Sequence, residues 1–317
     1  MHTIFSEAIK SKFPWVNLVH EYVDYFGLTQ VCGAEMIKDV HRTGFTWSEM
    51  PFTLCLATNK QYITQALNNT RISALITHSR FSQELEHYPD KLIIFCDQPH
   101  ELFYAIHNTG IHKLFINTKS QPSLIASTAT IAPSAIIHDD VVIGERVSIH
   151  DGVIILPGSV IGDDSQIHPG ATIGTVGFFS KSIFGKKTQI EHFGGVSIGK
   201  NCIVHARSNI SRSANHAETT IISDSVHIGI GANIAHDCVV GEGADISARA
   251  VLAGRVSVGR NCWIGAGALI SNALTIGDGA EIKIGAVVVS DVTPKAVISG
   301  NFATNHKKQL KTFLSKI

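Results

Sequence analysis

Residues 222–270 read ISDSVHIGIGANIAHDCVVGEGADISARAVLAGRVSVGRNCWIGAGALI, and an aliphatic residue returns every six positions: Ile222, Ile228, Ile234, Val240, Ile246, Leu252, Val258, Ile264, Ile270. Small or apolar residues stand four positions after many of them, at Ala232, Cys238, Ala244, Ala250, Val256, Cys262 and Ala268. The beat continues to Ile276, Ile282 and Val288, and backwards through Ile210, Val204 and Ile198. After a break it is found again at Ile125, Ile131, Ile137, Ile143, Ile149, Ile155, Ile161, Ile167 and Ile173. Three such repeats close one triangular coil, with one aliphatic side chain filling each corner, so residues 125–292 are expected to form a left-handed parallel β-helix.

Two interruptions stand out. Ile173 and Ile198 are 25 residues apart, one more than four repeats, so residues 175–196 (TVGFFSKSIFGKKTQIEHFGGV) are expected to leave the prism as a loop insertion. Ile210 and Ile222 are 12 apart, which keeps phase, and His216 falls where an aliphatic belongs; this is read as a blemish within the prism. Counting the His216 position there are 25 repeats, about eight coils rising by ~4.8 Å each.

Residues 1–120 lack the beat. Apolar runs at 52–57, 74–77 and 92–96 read as strands, with helices near 61–68 and 100–108, an α/β N-terminal domain. Residues 118–122 suit a linker, the β-helix domain occupies 121–296, and 297–317 form a C-terminal extension whose HKKQLKTFLSKI reads as a short basic amphipathic helix.

Lys plus Arg equals Asp plus Glu at 26 each, so no global field recruits nucleic acid or an anionic membrane, and a small molecule is the expected partner. No signal-peptide pattern opens the chain and no apolar run approaches the roughly 18 residues of a membrane span. A cytoplasmic location is expected. The cysteines at 202, 238 and 262 fall on inward positions, where buried, inert thiols are expected. The prism's flat, half-apolar outer faces suit a homotrimer with clefts between subunits.

Soluble enzymes built on this repeat mostly move acyl groups from a pantetheine thioester. Attack of an amine or hydroxyl on a thioester needs a general base and a donor to the oxyanion. Histidine suits the base. His236, in IAHDC, occupies a turn position of a clean repeat beside Asp237, which could hold its tautomer. One coil on, 18 residues away, lies Gly254, whose N–H could meet an oxyanion. A solvated turn histidine is the alternative reading. His150 and His168, also 18 apart, read as edge decoration.

The run GGVSIG at 194–199, the segment IAHDCVVGEGADISARAVLAGRVSVGRNCWIGAGA and ISGNFATNHKKQLK resemble the UDP-3-O-acylglucosamine N-acyltransferases of lipid A synthesis. In the front domain LCLATNKQYITQALNNTRISALI resembles that family's uridine-binding segment, and IASTA at 125–129 its approach to the β-helix. The resemblance implies a homotrimer, a nucleotide-sugar substrate, and transfer of an acyl group to a sugar amine from acyl-ACP or acyl-CoA as co-substrate, with no bound cofactor and no metal. It implies His236 as catalytic base, Gly254 as oxyanion donor, and Asn59 and Tyr62 as nucleotide contacts. Leu56 replaces the family's stacking aromatic, Gly229 an aspartate seven residues before the base, and Ala273 a second histidine. Asp237 stands where the family usually has Asn, and in this resembles the smaller bacterial amino-sugar N-acetyltransferases. These departures suggest a divergent member acting on another amino sugar or a shorter acyl chain.

Lys307, Lys308 and Lys311 could contact the phosphates of coenzyme A or the acidic surface of acyl carrier protein, or form a solvated helix face; Lys186 and Lys187 invite the same two readings. Phe178, Phe179, Phe184 and Phe193 could anchor the insertion to a neighbouring prism or line an acyl groove. Two other classes use this prism. A γ-type carbonic anhydrase needs a His-x4-His pair, and no two repeat-region histidines are five apart. A non-catalytic scaffold would bind neither nucleotide nor thioester.

Overall fold

A computed structural model describes residues 14–85, 90–114 and 121–300, together with 307, 314 and 315. The expected C-terminal helix falls largely outside the described residues, as do Lys308 and Lys311. No helix among the described residues is long and apolar enough to cross a membrane.

The front domain is a five-stranded sheet of β1 (Leu28–Cys32), β2 (Arg42–Gly44), β3 (Thr53–Leu56), β4 (Ile72–His78) and β5 (Leu92–Cys96). Their order is β1-β5-β4-β3-β2; β2 to β5 run parallel and β1 joins the edge antiparallel. The period-two alternation of side chains sorts the core onto two faces. Leu54, Ala74, Ile76, Leu92 and Ile94 pack on Trp15, Leu102, Phe103 and Ile106. Cys55, Leu75, Ile93 and Phe95 pack on Ile63, Ala66 and Phe81. The three expected strands and the helices Lys60–Asn68 and Pro99–Asn108 are present. β1, β2 and helix Pro14–Glu21 were not legible. β1 is a half-buried edge strand whose LTQVC carries no clean alternation.

The second domain is the left-handed parallel β-helix. Its three sheets hold eight, nine and eight strands. The first face carries Ile125, Ile143, Ile161, Ile198, Ile222, Val240, Val258 and Ile276; the second runs from Ile131 to Ile298; the third from Ile137 to Val288. Pairs such as Ile228–Ile246 and Ile234–Leu252 lie one 18-residue coil apart. Cys202, Cys238 and Cys262 are buried in the prism, and burial pushes the Cys238 thiol up to about 12. The repeat outlasts residue 292: strand Val297–Ile298 pairs with Glu281–Ile282.

Both interruptions prove to be insertions. Ile167 pairs with Val204, 37 residues away, so 19 residues leave the prism there. They form a hairpin of Ser180–Ile183 and Lys186–Gln189 that returns to the chain's own front domain. Ile183 and Ile190 are buried in that domain's core, each burial worth about 1.5–3 kcal/mol. Phe184 packs on Tyr22, Tyr25 and Phe26 with ring centroids 4.4, 5.3 and 5.5 Å away. Phe193 lies 4.4 Å from His112 and 5.0 Å from His107. These aromatics therefore anchor the insertion within the chain.

The second interruption corrects the reading of His216. Ile198 pairs with Ile222, Val204 with Ile228 and Ile210 with Ile234, each 24 residues apart where a regular coil takes 18. One whole hexapeptide, Arg212 to Ala217, lies outside the prism. Six residues preserve phase, so periodicity cannot reveal the departure. His216 stacks on His112 of the front domain at 4.4 Å, and Ala217 N–H donates to the Thr43 carbonyl at 3.2 Å.

Candidate active site

The turn from strand Asn233–Ile234 on the third face to Val239–Val240 on the first carries His236 and Asp237. Asp237 adopts a left-handed φ of 62°, a conformation Asp and Asn tolerate better than most residues. Its Oδ2 lies 2.6 Å from His236 Nδ1. A carboxylate accepting Nδ1–H leaves Nε2 bare to accept a proton. Asp237 Oδ1 accepts from the Ser213 hydroxyl and, at 3.2 Å, from the Ala214 N–H. Asp237 N–H donates to Thr220 Oγ1 at 2.9 Å. The Asp237 side chain is 3% exposed and that of His236 12%. Both carboxylate oxygens are thus hydrogen-bonded, which a buried carboxylate requires. Ser213 and Ala214 belong to the extra hexapeptide.

Gly254 lies one coil on. A Cβ there would sit 2.7 Å from His236 Nε2, so only glycine leaves the imidazole room. No hydrogen bond engages the Gly254 N–H among the described residues. Gly229, where the resembled family carries an acid, has no such room: a Cβ would meet Ala248 N at 2.5 Å. Asp237 is the carboxylate against the imidazole.

The first insertion roofs His236. Phe179 stacks over the imidazole at 5.1 Å and 22°, and His192 meets it edge-on at 5.3 Å and 87°. A Cβ on Gly177 would lie 2.9 Å from His192 Nε2 and 3.0 Å from His236 Cδ2. His192 Nδ1 bonds the Ile190 carbonyl at 2.9 Å, while Nε2 is buried with no partner among the described residues. Burial, and then His236 nearby, lower the His192 pKa.

Three cavities adjoin. One of about 310 Å³ is lined by Phe178, Phe179, Tyr104, His236, Gly254 and Arg255 among others. One of about 110 Å³ lies between Trp47, Leu56, Tyr62, Phe103, Tyr104 and Arg255. One of about 580 Å³ extends along the first face past Glu218, Ile221, Val239, Val256 and Arg255. Phe178 and Phe179 thus line the same cavity as His236.

Of the expected nucleotide contacts, Tyr62 lines the smallest cavity, but Asn59 is a helix cap, its Oδ1 accepting from Tyr62 N–H at 2.9 Å. Lys307 is exposed and lines none of the three. Ser213, Ala214, His192, Trp47 and Arg255 were not singled out from sequence. Each meets the site through contacts distant in the chain, and only the polar residue in an aliphatic slot, His216, hinted at the hexapeptide. Among the described residues no three or more His, Cys, Asp or Glu side chains form a group able to hold a metal.

The bacterial transferase hexapeptide family (six repeats) matches residues 140–175. No curated protein matches the chain. Similar solved structures include a UDP-N-acetylglucosamine acyltransferase from Bacteroides fragilis, 24% identical, covering 60% of this chain and 78% of that one, with a TM-score of 0.44. Another is the UDP-N-acetylglucosamine acyltransferase from Campylobacter jejuni, at 25% identity, 55% and 73% coverage and a TM-score of 0.45. A third, from Francisella novicida, is 24% identical over 60% of this chain and 71% of that one, with a TM-score of 0.46.

Proposed function

We propose that the protein is an N-acyltransferase that moves an acyl group from a thioester of acyl carrier protein or coenzyme A to the amine of a nucleotide-linked amino sugar. It is read as a divergent relative of the UDP-3-O-acylglucosamine N-acyltransferases, serving lipid A or surface-polysaccharide synthesis in the cytoplasm. The observation that carries this is the His236–Asp237 pair at 2.6 Å, its imidazole against Gly254 at the wall of a cavity reaching the front domain.

His236 Nε2 accepts a proton from the amine as its nitrogen attacks the thioester carbonyl and the C–N bond forms. The Gly254 N–H receives the developing oxyanion. Collapse breaks the C–S bond, and the thiolate takes the proton from the imidazolium. Asp237 steadies the cation without being protonated. Exposed Val142, Val160, Ile221 and Val239 on the first face and Ile136, Leu269 and Val287 on the third suit packing against further copies in a homotrimer.

The test is thiol release from short and long acyl donors, on both carriers, against UDP- and dTDP-linked amino sugars. Turnover with one pair, reduced at least roughly a hundredfold in His236→Ala, is expected. Turnover that survives the substitution removes His236 as the base, and silence across the panel favours a non-catalytic scaffold.

A further inference from the structure

Arg255 follows Gly254 in a turn with φ of 63°, and it lines all three cavities. Among the described residues no hydrogen bond or ion pair engages its guanidinium. Arg146 is held by Asp164, Arg212 by the Gly194 carbonyl and Arg80 by the Thr58 carbonyl, and Arg255 alone among the described arginines lines any of these three cavities. Lys181, the other cation of the base's cavity, lies over the Tyr104 and Phe179 rings. An open five-donor fork where cavities meet matches a phosphate group better than any neutral ligand part.

The aromatic side of that junction is equally specific. The Trp47 indole, 46% exposed, stacks on Phe45 at 4.7 Å and 20°. It lies 6.1 Å from the Tyr62 ring, which is 39% exposed. Two exposed aromatics facing one cavity leave apolar area that a flat ring would cover. Passing from Trp47 and Tyr62 to His236, a ligand meets Arg255 on the way, because Arg255 and Tyr104 line both cavities.

We propose that Arg255 grips the diphosphate of the nucleotide-linked sugar, with the base against Trp47 and Tyr62 and the sugar amine at His236. This rests on the acceptor class proposed above. Arg255 is a positioning residue here, and Trp47 replaces the stacking surface that Leu56 does not supply.

Calorimetric binding separates the parts without turnover. The full chain is titrated with UDP and uridine, and with dTDP and thymidine, as wild type, Arg255→Gln, Arg255→Lys and Trp47→Ala, each checked by its melting temperature. In the preferred base series the wild type is expected to bind diphosphate over nucleoside by roughly tenfold or more, as charge-assisted phosphate contacts give. Arg255→Gln brings that ratio close to one with nucleoside affinity unchanged, and Arg255→Lys keeps part of it. Trp47→Ala weakens both ligands alike. If Arg255→Gln retains the preference, the assignment is wrong while acyl transfer to nucleotide sugars stands. If wild type binds neither diphosphate, both the assignment and the nucleotide-linked acceptor fall.

Discussion

Asp237 and His236 are neighbours in sequence, and that adjacency made the pair legible; what holds the carboxylate was not. Ser213 and Ala214 reach Asp237 from 24 and 23 positions upstream, a separation that the regular 18-residue coil would not bring into register. Replacing Asp237 with Asn puts an N–H donor where Nδ1–H now donates. The ring then favours the tautomer with the proton on Nε2, the atom that accepts one in the proposed mechanism. Asp237→Asn is expected to lower kcat by roughly 10²–10⁴-fold, the span of general-base catalysis, with KM for the acceptor little changed. Steady-state kinetics check this, and a wild-type kcat would show that the carboxylate does not set the tautomer.

The hexapeptide Arg212 to Ala217 is a unit whose length hides it. The 19-residue insertion was legible because it broke phase, whereas six residues return the chain to the same corner. Deleting residues 212–217 should therefore leave the prism continuous, with a regular 18-residue coil at that point and the same far-UV circular dichroism. The same deletion removes both Asp237 Oδ1 donors, so thiol release is expected to fall at least roughly a hundredfold. Deleting five of the six shifts every later aliphatic out of its corner and should cost the fold itself. Active protein from the six-residue deletion, or equal folding of the two, would contradict this division of roles. The prism was readable because its rule is local and repeated. The front domain's edge strands were not, because β1 and β2 depend on partners β5 and β3, supplied elsewhere in the chain.

At the scale of the molecule, three histidines lie in the seam between the domains. Burial holds His107 and His216 down at about 4 and His112 at about 3, with stacked His216 adding to the effect on His112. Unfolded, each titrates near its ordinary value of about 6.5. The unfolded chain thus takes up protons first, so the stability they permit is complete above about pH 6.5 and is lost as pH falls towards 4. The melting temperature is expected to drop between pH 7 and 5, less steeply in His216→Asn; parallel slopes in calorimetry would refute this. The hairpin carries a consequence of another kind. Ile183 and Ile190 complete the core of a domain whose own last strand ends at Cys96. On the ribosome the chain emerges from its N-terminus at about 5–20 residues per second. The front domain therefore waits several seconds, with that patch uncovered, for a piece of itself encoded beyond the first coils of its neighbour. Birth order and folding order are reversed across the domain boundary, and a stalled ribosome in that interval exposes a greasy, half-closed sheet to chaperones.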